Sequence, residues 1–192
     1  MKKIVLINGH PKKDSFTAAL VGEYKRGALE AGAEVREIVV TDLPIERYLR
    51  YEHFTKQPVG EDILHAREDI AWAEHIVFVH PVWWAGMPAL LKCFVDMVFS
   101  AGFAFRYTGK SPFPLKLLKG RTAHIITTLD TPPFVYRFLF GAPSVNQLKS
   151  RVLAFCGIAP TCVTYLGPIR SSTTEKRAQF LARVYLLGTR LQ

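Results

Sequence analysis

Hydrophobic and polar positions change period several times along this chain, and each change marks an element. Lys3 to Asn8 is a continuous, β-branched apolar run, the pattern of a central parallel strand covered on both faces. Gly9 to Asp14 breaks it, and from Ser15 the period becomes helical. Phe16, Leu20, Tyr24 and Ala28, with Ala19 and Ala31 nearby, make one face, and Gly32 closes the helix. Glu34 to Val40 predicts a second strand. Leu43 to Gly60 follows no period. With Tyr48, Tyr51 and His53 it is too aromatic for a plain linker and is expected to fold over the surface or into a partner subunit. Glu61 to Glu74 predicts a helix with Ile63, Leu64, Ile70 and Ala71 inward, and His75 to His80 a third strand.

A loop follows that strand, and then a helical pattern through Leu90, Leu91, Phe94, Val95 and Val98, ending near Ser100. Ala101 to Lys119 is loop-rich. Arg121 to Leu129 predicts a fourth strand, and Thr131 to Pro143 is an aromatic segment without a clear period. Ser144 is the expected N-cap of a helix reaching Phe155, stopped by Gly157. Thr161 to Leu166 is the fifth strand, and Ser172-Thr173-Thr174-Glu175 matches a capping box opening the terminal helix. Five strands alternating with five helices predict an α/β chain, one domain over residues 1–192, with a doubly wound parallel sheet and helices on both faces. Five strands favour the flavodoxin-like order 2-1-3-4-5 over the Rossmann order, with the switch point between strands one and three. The loop after Asn8 then lies beside the loop after His80.

Both loops have unusual chemistry. Turning from the first strand into the first helix points the N–H groups of Ser15, Phe16 and Thr17 outward, where the helix dipole favours a phosphate. The Ser15 and Thr17 hydroxyls add donors, and His10 and Lys12 add positive charge or donors at the rim. The competing reading is a plain N-cap at Asp14 or Ser15. The second loop, Pro81-Val82-Trp83-Trp84-Ala85-Gly86-Met87-Pro88, pairs two tryptophans with restraining prolines. Rigid aromatics at a strand's carboxyl end suit a flat ring such as an isoalloxazine or a quinone. Gly86 would let a ligand approach the backbone, and N–H groups from Val82 to Ala85 would stabilise negative charge on it. The plain alternative is a core tryptophan pair pinning a turn. Thr127 and Thr128 end the fourth strand, either as a ring edge or as β-branched filler.

Composition narrows this picture. A hydrophobic share of 49% with 21% charged residues fits a soluble globular protein, and the apolar run at Ile4 to Ile7 is too short for a signal peptide. Lys92, Asp96 and the prolines break the apolar stretch 81–105, so no membrane insertion is expected. Cys93, Cys156 and Cys162 lack CxxC spacing and read as free, mostly buried thiols, which suggests a cytoplasmic protein. The six histidines show no HExxH or other ligand spacing, so no metal is expected. The net charge of +9 is spread along the chain and comes with no nucleic-acid motif. No nucleic-acid partner is expected, and anionic cofactors account for the sign.

Gly9-His10-Pro11, Ser15-Phe16-Thr17, Pro81-Val82-Trp83-Trp84-Ala85-Gly86 with Pro88-Ala89-Leu90-Leu91-Lys92, and Gly102-Phe103-Ala104-Phe105 together resemble the NAD(P)H:quinone oxidoreductase family, the flavodoxin-like group of the DT-diaphorase and drug-modulator type. That resemblance implies a bound flavin, FMN or alternatively FAD, a homodimer, and two-electron reduction of a quinone or similar flat acceptor by NAD(P)H in a ping-pong mechanism. It places His10, Ser15, Phe16 and Thr17 on the flavin phosphate side. Pro81, Val82, Trp83, Trp84, Ala85 and Gly86 take the ring, together with Thr127 and Thr128. Leu129 and Asp130 stand where the family often has a glycine pair. Tyr136 is the candidate for the family's substrate-pocket tyrosine. A flavodoxin-type electron carrier and a flavin-binding regulatory subunit of a membrane transporter are the alternative functions.

Overall fold

The computed structural model describes residues 1–43, 59–109 and 111–191, so the expectation for Leu43 to Gly60 falls mostly outside the described residues. The elements are β1 (Lys3–Asn8), α1 (Phe16–Glu30), β2 (Glu34–Val39), α2 (Glu61–Trp72), β3 (His75–Pro81) and α3 (Ala89–Val98). They continue with β4 (Thr122–Thr128), α4 (the helical run 143–156, π-wound over Gln147–Leu153), β5 (Thr161–Leu166) and α5 (Thr174–Thr189). All pairs in the main sheet are parallel and its order is β2-β1-β3-β4-β5, the flavodoxin-like arrangement expected from the strand count. Two-residue strands at Phe105–Arg106 and Leu115–Lys116 form a separate antiparallel ribbon within the loop-rich stretch.

The continuous apolar runs divide by parity. Val5, Ile7, Ile76, Phe78 and Ile125 pack towards α2, α3 and α4, while Ile4, Leu6, Val77, Val79 and Ile126 pack towards α1 and α5. Every residue of β3 is buried. This is why the central strands carry no polar alternation.

Helix α1 turns Thr17, Leu20, Val21, Tyr24, Gly27 and Ala28 inward and leaves Ala19 and Ala31 exposed. It meets α5 at glycine contacts. A Cβ on Gly188 would lie 2.3 Å from the Tyr24 carbonyl oxygen, and one on Gly27 would lie 2.3 Å from that of Tyr185. The two helices therefore touch backbone to backbone.

Other boundaries differ from expectation for local reasons. In α2 the buried positions are Ile63, Ala66 and Ile70, an i, i+3, i+7 stripe, so Leu64 and Ala71 face out. Thr173, not Ser172, caps α5: its Oγ1 accepts from Lys176 N at 3.2 Å, while the Ser172 hydroxyl donates to Ile169 O at 2.6 Å. Ser144 is not a cap either. Left-handed Ala142 precedes Pro143 at the first helical position, and Ser144 is buried one residue inside. Among the cysteines Cys156 is buried and Cys93 half-buried, but Cys162 is exposed, because it lies on the outermost strand.

Candidate functional site

The β1–α1 loop is held by short-range hydrogen bonds. Buried Asn8 accepts the His10 N–H on its Oδ1 at 3.3 Å, and His10 Nδ1 accepts the Lys12 N–H at 2.9 Å. That bond leaves the neutral ring with its proton on Nε2. Burial lowers the His10 pKa, and the nearby Lys12 charge also lowers it. The imidazole is therefore a neutral donor at pH 7, not a cation. Ser15 is the N-cap, its Oγ accepting Ala18 N–H at 3.1 Å. The first-turn N–H groups of Phe16 and Thr17 have no acceptor among the described residues, as helix geometry requires. Gly9 is needed for close approach, since a Cβ there would sit 2.7 Å from Leu91 Cδ2 and 3.1 Å from His80 Cβ.

The loop after β3 is a two-residue turn. Trp83 and Gly86 exchange both N–H···O bonds at 2.9 Å, and the two central residues, Trp84 and Ala85, have φ of 51° and 60°. These are the torsions of a type I′ turn, usually occupied by Asn or Gly, so two side-chain-bearing residues sit in a left-handed conformation costing about 1–2 kcal/mol each. Gly86 itself is not at positive φ. Nor are all the loop N–H groups free. Val82 donates to Thr128 O at 2.7 Å and Trp83 to Gly86 O, leaving Trp84 and Ala85 as the N–H groups without an acceptor among the described residues. The Trp84 side chain is fully exposed and Trp83 is about half exposed.

The two loops meet. The His10 ring packs edge-on against Trp83 with centroids 5.5 Å apart. Parallel pairing of β1 with β3 brings their carboxyl ends together, and Gly9 N–H donating to Val79 O at 2.9 Å extends that pairing into the loop.

The remaining candidates lie behind this junction. Thr127 is fully buried and donates to His80 O at 3.0 Å, so it braces the stem of the tryptophan loop instead of lining an open edge. Thr128 keeps a small exposed surface, and its carbonyl holds Val82. Leu129 is buried, and Asp130 Oδ1 accepts Arg170 N–H at 2.8 Å. Tyr136 lies under the turn and not in an open pocket. It is almost completely buried, it donates to Ala85 O at 3.1 Å, and its oxygen accepts from Ser144 N at 3.1 Å. Ser144 N–H is shared with Ala85 O, also at 3.1 Å. Sequence reasoning missed this buttress because its members are some 50 residues apart. It also missed Asn8, although a polar residue closing a wholly apolar strand was a signal. His80 is completely buried, with Nδ1 bonded to Pro81 O at 2.9 Å, and burial pushes its pKa down to about 4.

The model of the Flavodoxin-like fold family matches residues 2–186. The chain belongs to this family. Within it, the chain is 36% identical over 148 residues to the ribosyldihydronicotinamide dehydrogenase [quinone] of Rattus norvegicus, covering 71% of this chain and 61% of that one. It is 27% identical over 176 residues to the FMN-dependent NADH:quinone oxidoreductase of Caldicellulosiruptor saccharolyticus, covering 82% of each. Among solved structures, this flavodoxin-like chain superposes on Smu.1420 from Streptococcus mutans with a TM-score of 0.84 and 30% identity, over 99% of this chain and all of that one.

Proposed function

We propose that this chain is a flavin-dependent NAD(P)H oxidoreductase, with FMN as its flavin, that reduces a quinone or a similar flat acceptor by a ping-pong mechanism. The observation that carries the reading is the edge contact between His10 and Trp83, which joins the loop leading into α1 to the aromatic turn after β3. The names of the quinone-reducing relatives support the reaction class, and the word FMN in one of them supports the flavin.

The residues present fit the group. Phe16 and Thr17 offer free N–H donors at the positive end of α1, and the Ser15 hydroxyl keeps its proton to donate while its oxygen caps the helix. Neutral His10 offers Nε2–H. Trp83 and Trp84 give an apolar wall, and the Trp84 and Ala85 N–H groups stabilise negative charge beside it. When bound, a flavin supplies the two-electron chemistry that the side chains lack. The wall of the crevice faces outward, so donor and acceptor take turns on one surface. NAD(P)H and a proton are consumed, and the quinone leaves as its hydroquinone.

The purified protein is expected to show a flavin absorbance band that bleaches on anaerobic addition of NADPH or NADH. A band that persists with both would point to an electron carrier or a regulatory subunit, and no band after addition of FMN or FAD would remove the flavin reading. Trp84→Ala is expected to weaken flavin retention without unfolding the chain, because the indole is fully exposed.

A further inference from the structure

The outer edge of the sheet carries a second feature. Strand β5 is the last strand, and one of its edges has no partner among the described residues. Ala123 N–H donates to Pro160 O and Leu129 N–H to Leu166 O, both at 3.0 Å, so the even-numbered residues turn their backbone groups towards β4. The N–H and C=O groups of Thr161, Val163 and Tyr165 therefore point the other way. All three residues line a groove of about 720 Å³ that runs along this edge between α4 and α5.

Three cations from three different elements converge on the same groove: Arg137 from the aromatic segment, Lys149 from α4 and Arg183 from α5. No carboxylate lines it among the described residues, and none of the three cations has an ion-pair partner there. Exposed ion pairs elsewhere, such as Lys25 with Glu37 and Arg36 with Asp69, show that the fold does neutralise surface cations where acids are near.

We propose that this groove takes an acidic, extended peptide segment that adds to β5 as a sixth strand. Main-chain bonds to Thr161, Val163 and Tyr165 supply the register, and Lys149 above one face and Arg183 above the other, with Arg137, select carboxylate side chains on the added strand. A second copy of this chain does not fit the edge. Two-fold pairing would set the three cations against the same three, on a chain of net charge +9.

The test uses the full-length protein and a fluorescein-labelled peptide of three Glu-Val repeats, followed by fluorescence anisotropy, with a Lys-Val peptide as control. The acidic peptide is expected to bind and to weaken with added salt, and the basic one is expected not to bind. Lys149→Glu with Arg183→Glu should weaken binding about tenfold or more. Val163→Pro removes one outward N–H and leaves the ladder to β4 intact, a position where edge strands tolerate proline. It should also weaken binding severalfold, and amide exchange at Thr161, Val163 and Tyr165 should slow when the peptide is added to wild-type protein. No binding of the acidic peptide would overturn the proposal and leave the cations as guards against edge pairing. Binding that Val163→Pro does not change, without slower exchange at those amides, would also overturn it, because that is the signature of diffuse surface charge.

Discussion

Trp84 and Ala85 keep left-handed torsions only because something beneath them holds the turn. Tyr136 and Ser144 do this by converging on the Ala85 carbonyl. Tyr136→Phe removes the O–H donor while Ser144 N–H still reaches that carbonyl, so the expected loss in urea unfolding is about 1 kcal/mol. The larger effect should fall on flavin affinity, measured by fluorescence titration, since the turn that presents the indoles loses a restraint. Equal flavin affinity in the variant would show that the buttress is dispensable. His80 gives a pH prediction. Its pKa falls from 6.5 in the unfolded chain to about 4 in the folded one, so above pH 6.5 both states are neutral and stability is unaffected. As pH drops through this window only the unfolded state takes up the proton, costing about 2 kcal/mol by pH 5. Urea midpoints at pH 7 and pH 5 should therefore converge in His80→Leu relative to wild type.

At the level of elements, the contact between α1 and α5 depends on two glycines that act as surface features and not as flexible joints. With a Cβ only 2.3 Å from a facing carbonyl oxygen, Gly188→Ala must push the helices apart, at an expected cost of about 3 kcal/mol. Thermal unfolding would read this as a lower midpoint, and an unchanged midpoint would mean the helices slide freely. Nothing in the pattern of α5 announced the contact. Gly188 lies among Leu186, Leu187 and Leu191, and its role depends on Tyr24, more than 160 residues away. The strands were easier to read. Ile4 to Ile7 and Ile76 to Val79 are apolar at every position because both of their faces are covered, and a pattern that is the same on both faces needs no knowledge of the partners.

Across the whole molecule, the expectation of a homodimer bears on the exposed apolar residues. Trp84, Phe134, Leu139 and Phe140 are all more than half exposed, and three of them sit on the aromatic segment beside the tryptophan turn. Surface of this kind is costly unless covered. We predict a dimer by analytical ultracentrifugation and a shift to monomer in Leu139→Asp with Phe140→Asp, together with weaker turnover if the partner covers the crevice. A wild-type monomer at micromolar concentration would remove this assignment. No helix among the described residues is long and apolar enough to cross a membrane.

The order of strands and the placement of the two loops at one end of the sheet were legible in the chain, because each follows from local periodicity and from the geometry of parallel crossovers. Residues that act through distant partners were not. Thr127 reads equally well as ring edge or as filler until His80 is seen to accept its hydroxyl proton, and Ser144 reads as a helix cap until its N–H is seen directed at Ala85 and Tyr136. The same holds for the basic groove, whose three cations are unremarkable at positions 137, 149 and 183 and meet only when α4 and α5 close over opposite faces of the last strand. Local pattern determines which backbone forms an element and which of its faces is buried. Which side chains share a hydrogen bond or a pocket is decided by packing between segments far apart in the chain, and no single segment carries that information.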